Sequence, residues 1–163
     1  VKFVIYWFRT DLRLHDNPSL LRACDGADYL LPVFIRSSDD EQMTPWGFER
    51  HGIHRKEFMG ASAASLAMQL EGLGSALFCY TGKPSNILAN LMNTHKASAI
   101  YCESIEAPYE NQEIKALQDK GINIQTYWQS SMIVPSDLPF EPKNMPDVFT
   151  SFRQSIERTG KRY

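Results

Sequence analysis

Two short stretches concentrate the residue types that could hold a ligand. In Trp7-Phe8-Arg9-Thr10-Asp11-Leu12-Arg13-Leu14-His15-Asp16-Asn17, charges of both signs alternate directly after an apolar run. Arg9, Asp11 and Arg13 could contact a ligand and its phosphate, or they could lock the loop through mutual ion pairs and hydrogen bonds, which is costly to break once buried. The second stretch runs from Glu103 to Glu110. Glu110 falls in the first turn of a helix expected from about Pro108 to Lys120, where a carboxylate either accepts donors from a ligand or offsets the helix dipole by about 0.3 to 1 kcal/mol. Further along, His51, His54 and Arg55 could meet anionic groups, although neutral, solvated histidines are the plain reading. Gly82-Lys83-Pro84 lacks the frame of a phosphate loop and reads as a turn ahead of a helix.

The chain has 163 residues, 43% of them hydrophobic, enough for one core of ordinary size. A formal net charge of -2 excludes the basic surplus with which a protein grips nucleic acid unaided. Cys24, Cys79 and Cys102 are odd in number, widely spaced and set in or beside apolar segments, so they read as reduced core thiols. No CxxC pair or paired-histidine spacing suggests a metal site, and no apolar run reaches the roughly 20 residues of a membrane span. Lys2 to Trp7 already reads as a strand and not as a leader, and the expected compartment is a reducing cytoplasm.

Strands and helices alternate along the sequence. Phe3 to Trp7 is a continuous β-branched and aromatic run, as expected of a central strand buried on both faces. Asp16-Asn17-Pro18 then supplies a cap and an early proline for a helix. The pattern continues with a strand over Tyr29 to Ile35, a helix over Phe48 to Leu73, a strand over Ala76 to Tyr80 and a helix over Ser85 to His95. Strands over Ala99 to Glu103 and Ile122 to Trp128 flank the helix that stops at Gly121. Such alternation predicts an α/β fold, a parallel sheet with helices on both faces. Prolines 135, 139, 142 and 146 mark an extended linker, and Val148 to Arg158 predicts a helix whose apolar face, Val148, Phe149, Phe152 and Ile156, needs a surface.

The loop Trp7 to Asn17 resembles the opening signature of the DNA photolyase/cryptochrome family, Trp-Phe-Arg-x-Asp-Leu-Arg-x-x-Asp-Asn, at every fixed position. Met145-Pro146-Asp147-Val148-Phe149-Thr150-Ser151-Phe152-Arg153 is similar to the segment where members leave their first domain, above all DASH-type cryptochromes and bacterial photolyases. The resemblance covers essentially the whole chain and only the family's N-terminal α/β domain. It implies a three-layer, Rossmann-like domain with a five-stranded parallel sheet in the order 3-2-1-4-5. It also implies an antenna role, the holding of a light-absorbing methenyltetrahydrofolate, deazaflavin or FMN.

By the same resemblance, Glu110 would face a pterin ring, and a carboxylate can accept two N–H bonds from that ring's amino-pyrimidine edge. Tyr109 stands where some folate-binding relatives carry asparagine, and Glu106-Ala107-Pro108-Tyr109 resembles the Glu-Pro-Tyr run of others. Glu103, Phe34, Ile35 and Arg36 follow the fourth and second strands at the sheet edge where ligands of open α/β sheets bind, and they could serve a deazaflavin or flavin pocket together with Arg9. Trp7, Trp46 and Trp128 are expected to be packing residues.

These readings place the antenna domain at residues 1–134, and the linker with the first helix toward an FAD-binding helical domain at 135–163. FAD, repair of pyrimidine dimers and contact with damaged DNA would belong to the full-length protein, leaving this chain with no catalytic residue and catalytically silent by itself. A free-standing light-harvesting or partner-docking module is the alternative. A nucleotide-binding hydrolase is a third reading that no glycine loop or carboxylate cluster supports.

Overall fold

A computed structural model describes residues 1–160. Five parallel strands form one sheet in the order β3-β2-β1-β4-β5, as expected: β1 Phe3–Phe8, β2 Tyr29–Ser37, β3 Phe78–Gly82, β4 Ala99–Glu103 and β5 Ile124–Tyr127. The connecting helices are α1 Pro18–Asp25, α2 Ile53–Gly72, α3 Pro84–His95 and α4 Pro108–Gln118, with α5 Phe149–Glu157 near the end of the chain.

β1 is central because both of its faces are apolar. Val4, Tyr6 and Phe8 pack with Ala23 of α1 and with Leu66 and Leu70 of α2. Ile5 and Trp7 point the other way, into a cluster with Leu88 and Leu91 of α3 and Leu117 of α4. Three helices, α1, α3 and α4, open on a proline, whose missing N–H costs nothing in a first turn. Asn17 caps α1 by accepting the Leu20 N–H at 3.0 Å. After α4 the chain reverses at Gly121, whose φ of +73° is a left-handed conformation that glycine adopts without a steric penalty.

The expected helix from Phe48 begins instead at Ile53. Residues before it fold back on themselves, with an antiparallel bridge between Met43 and Glu49 and a turn that uses Gly47 at φ +83°. Thr44 N–H donates to the Phe48 carbonyl at 2.7 Å, so the backbone donors of this loop are consumed outside any helix. β3 lies two residues later than expected, and β5 is shorter, both being edge strands with less packing to extend them. Two short 3-10 turns, Pro135–Asp137 and Pro142–Asn144, interrupt the extended segment before α5. The Phe152 ring of α5 meets Phe140 at 5.7 Å, while Val148 and Phe149 stay exposed. The last three residues of the expected linker segment, 161–163, lie outside the described residues.

Candidate functional site

The carboxyl ends of β1, β2 and β3 open onto a cavity of about 440 Å³. In the parallel register Phe34 lies beside Cys79, and Arg36 beside Thr81, so these four share one face of the sheet, and all line the cavity. Gly60, Ala63, Ala64 and Ala67 of α2 form part of the opposing wall. Short side chains at these helical positions leave room between helix and sheet that larger ones would fill. Trp7 and Arg9 close the cavity from β1, and Glu110 and Glu113 from α4.

Arg9 is almost fully buried, and its partners are not those expected. Its guanidinium donates to the Glu113 carboxylate at 3.1 Å and to the main-chain carbonyls of Glu103 and Glu110, both at 3.3 Å, while stacking over the Trp7 ring at 4.7 Å. A single cation thus ties the end of β1 to the end of β4 and the start of α4. Asp11 pairs with neither Arg9 nor Arg13 through side chains. Its carboxylate accepts from the Tyr6 hydroxyl (2.6 Å), the Arg9 main-chain N–H (2.9 Å), Gln129 (2.8 Å) and Asn17 (3.1 Å). The loop is locked, but by neutral donors converging on one buried carboxylate. Burial, with Asp11 close by, pushes the Tyr6 phenol far above its ordinary range, so this donor keeps its proton. Arg13 instead donates to the Asp16 carbonyl at 3.0 Å, where Asp16 has a φ of +50°.

Glu110 is at the cavity, half-buried, and its carboxylate is held by Arg50 at 2.8 Å. The same guanidinium lies 4.2 Å over the ring of Tyr109, a residue that points outward and is not on the cavity wall. Glu103 also departs from expectation. Its side chain turns inward, 3% exposed, where it accepts from the Thr10 hydroxyl at 2.6 Å. Burial raises its pKa above the usual carboxylate range, and the same cause raises that of Glu113. Phe34, Arg36 and Arg9 line the cavity wall.

His51 is half-buried on the cavity wall and not solvated, with Nδ1 3.4 Å from Asp40. Burial lowers the His51 pKa and raises that of Asp40, against their mutual attraction. His54 does remain in solvent. Only Cys102 is a core thiol, pushed up to about 12 by burial, whereas Cys24 and Cys79 are exposed. Cys79 lies on the edge strand β3 and lines the open cavity. Trp7 is packed, Trp46 is 77% exposed and stacks on Phe48, and Trp128 donates to Ser131. Among the described residues no group of His, Cys, Asp or Glu is arranged to hold a metal, and no helix is long and apolar enough to cross a membrane.

Sequence reasoning missed Arg50, Asp40 and the small-residue wall of α2. Arg50 gave no local signal, because its partner is 60 residues away. The glycine and alanines do recur three or four apart, a spacing that could have marked a recessed helix face.

The family model described as DNA photolyase matches residues 4–162. The chain belongs to the DNA photolyase family. A cryptochrome DASH from Synechocystis sp. is 34% identical over 159 residues, 95% of this chain and 32% of that protein. Another, from Natronomonas pharaonis, is 31% identical over 94% of this chain and 33% of its own length. The chain therefore spans about a third of the length of these relatives. Among solved structures, a Synechocystis sp. cryptochrome superimposes with a TM-score of 0.90 at 32% identity, covering 97% of this chain and 34% of that one. An archaeal photolyase from Sulfolobus tokodaii does so at 0.79 and 26% identity, covering 96% and 35%. The latter structure contains two FAD molecules and is described as implying a novel light-harvesting cofactor. The sheet order of this chain is that of the photolyase N-terminal α/β domain.

Proposed function

We propose that this domain holds a light-harvesting chromophore in the cavity at the carboxyl edge of β1, β2 and β3, with a flavin or deazaflavin ring as the occupant the walls suit best. The observation that carries the reading is the cavity itself. At about 440 Å³ it falls in the range of small-molecule sites, with apolar and small side chains for a planar ring and a few charged groups at the mouth. Phe34 and the Gly60 to Ala67 face would flank the ring, and the almost fully buried Arg9 would fix the floor. A folate bound through Glu110 is the second reading, and it requires that carboxylate to leave Arg50.

In the whole protein, energy gathered here would pass to FAD held in a helical domain, and blue light would then drive the splitting of pyrimidine dimers in DNA. Residues 1–134 would be the antenna domain and 135–163 the lead into the helical one. By itself the chain would be catalytically silent, leaving ultraviolet-damaged DNA unrepaired under blue light.

The test is an absorption and fluorescence titration of the chain with FMN, a deazaflavin and methenyltetrahydrofolate in turn. Quenching of tryptophan emission by one of the first two, abolished by Ala64→Leu, is the expected outcome. Ala64 is exposed on the cavity wall, so the larger side chain blocks the slot without disturbing the core. Binding of folate alone, lost on Glu110→Ala, would replace the tricyclic reading with the folate one. No binding of any of the three would remove the antenna proposal.

A further inference from the structure

The two edges of the sheet are not alike. β5 is four residues long and polar where it is exposed, with Gln125 donating to Asn123 at 2.8 Å. β3, at the other edge, reads Phe78-Cys79-Tyr80-Thr81-Gly82. An edge strand leaves a row of backbone N–H and C=O groups open, and such edges are ordinarily blunted by a charge, a proline or a bulge. β3 has no charge and no proline within the strand, and its register against β2 is unbroken. Among the described residues its backbone bonds to nothing beyond β2, and Phe78, Cys79 and Thr81 are exposed.

We infer that β3 pairs antiparallel with β3 of a second copy of this chain, about a two-fold axis at Tyr80, joining the two sheets into one. A two-fold contact sets residue i against j and j against i. Centred on Tyr80, it puts Phe78 opposite Gly82 and Cys79 opposite Thr81, and opposite residues share a face. The strand is complementary to itself in this arrangement. Gly82 has no side chain to fill its place, and Ile87 of α3 lies 3.3 Å from where a Cβ would stand. The Phe78 ring of the second copy, 44% exposed in the single chain, covers that glycine and packs toward Ile87, as aromatic side chains do opposite glycine in paired strands.

The edge is large enough for a weak dimer. Five residues run about 16 Å, and a sheet with a helix layer on each face is about 30 Å deep, so each copy presents roughly 500 Å². The pair then buries about 1,000 Å², the lower bound for a specific interface.

Sedimentation velocity of the full chain from about 1 to 300 µM should show a reversible monomer–dimer equilibrium with its midpoint inside that range. Phe78→Lys sets a cation on the open edge opposite Gly82 and should move the midpoint about tenfold higher or remove the dimer, with the melting temperature at high dilution reporting that the variant folds. Thr81→Cys reads the register without deleting the aromatic contact. Directly opposite residues bring their Cβ atoms to about 4.5 to 5.5 Å, near enough for a disulfide after a small adjustment. With oxidised glutathione, Cys79 of one copy should therefore join the introduced thiol of the other, as peptide mapping would show.

A chain that stays monomeric over the whole range would overturn the inference and leave the antenna reading standing. A dimer unmoved by a folded Phe78→Lys chain would overturn it too, as would cross-linking through Cys24 alone.

Discussion

Arg50 crosses the mouth of the cavity to Glu110, its guanidinium 2.8 Å from the carboxylate and 4.2 Å above the neighbouring Tyr109 ring. The loop before α2 and the start of α4 are thereby joined by one side chain, with both partners largely shielded from water. Shielding makes such a pair stronger than a surface contact, and removing one member leaves the other charge without compensation.

Arg50→Ala should therefore destabilise the chain by about 1 to 3 kcal/mol, between the values for exposed and buried pairs. It should also raise affinity for methenyltetrahydrofolate by releasing the Glu110 carboxylate. Urea denaturation and a folate titration measure the two effects. Stability unchanged from the parent would mean that the bridge contributes nothing in solution.

Asp11 accepts four hydrogen bonds in a site from which water is excluded. Asp11→Ala should cost about 3 to 5 kcal/mol, since four donors lose their acceptor at once, and Tyr6→Phe only about 1 to 2 kcal/mol, since three of the bonds survive. Urea midpoints of the two variants give the comparison. A larger loss for Tyr6→Phe would place the centre of the network on the phenol.

Glu103 and Glu113 both have pKa values raised by burial in the folded chain. A raised carboxyl pKa means that the folded state holds its proton more tightly than the unfolded one. The stability this gives is complete below the ordinary glutamate pKa and is lost as pH rises through the folded value. Glu103→Gln keeps the shape and can still accept from Thr10, so it should be more stable than the parent at pH 7 and similar to it near pH 4. Denaturation midpoints across that interval test this, and a Gln variant less stable at pH 7 would show that the ionised form is the favoured one.

The thiols should divide by location. Cys24 and Cys79 are exposed and should react with a thiol reagent in the folded state, while Cys102 should react only on unfolding. A bound chromophore should slow the labelling of Cys79, which lines the cavity, and leave that of Cys24 unchanged. Equal protection of both would indicate general stabilisation and not occupancy of the slot.

How much of this was legible in the sequence depended on the range of each interaction. The apolar run Phe3 to Trp7 and the proline-led helix starts are local signals, and they placed the central strand and α1, α3 and α4. The start of α2 was misplaced, because Phe48 to Arg50 carry apolar and charged types that a helix also uses. What forbids the helix there is a turn closed by backbone bonds around Gly47.

By itself the sequence determined the α/β class, through alternating strand and helix patterns, and the family, through the spacing of Trp7, Arg9, Asp11, Arg13 and Asn17. Which charges meet was decided only by tertiary structure. Arg9 finds Glu113 across 104 positions, and Arg50 finds Glu110 across 60. The reason is physical. Hydrophobic periodicity is written along a single element, whereas a charge pair depends on where the right-handed crossovers return separate elements to one sheet edge. The cavity belongs to the same class of feature, a gap between α2 and the sheet that exists only once both are in place.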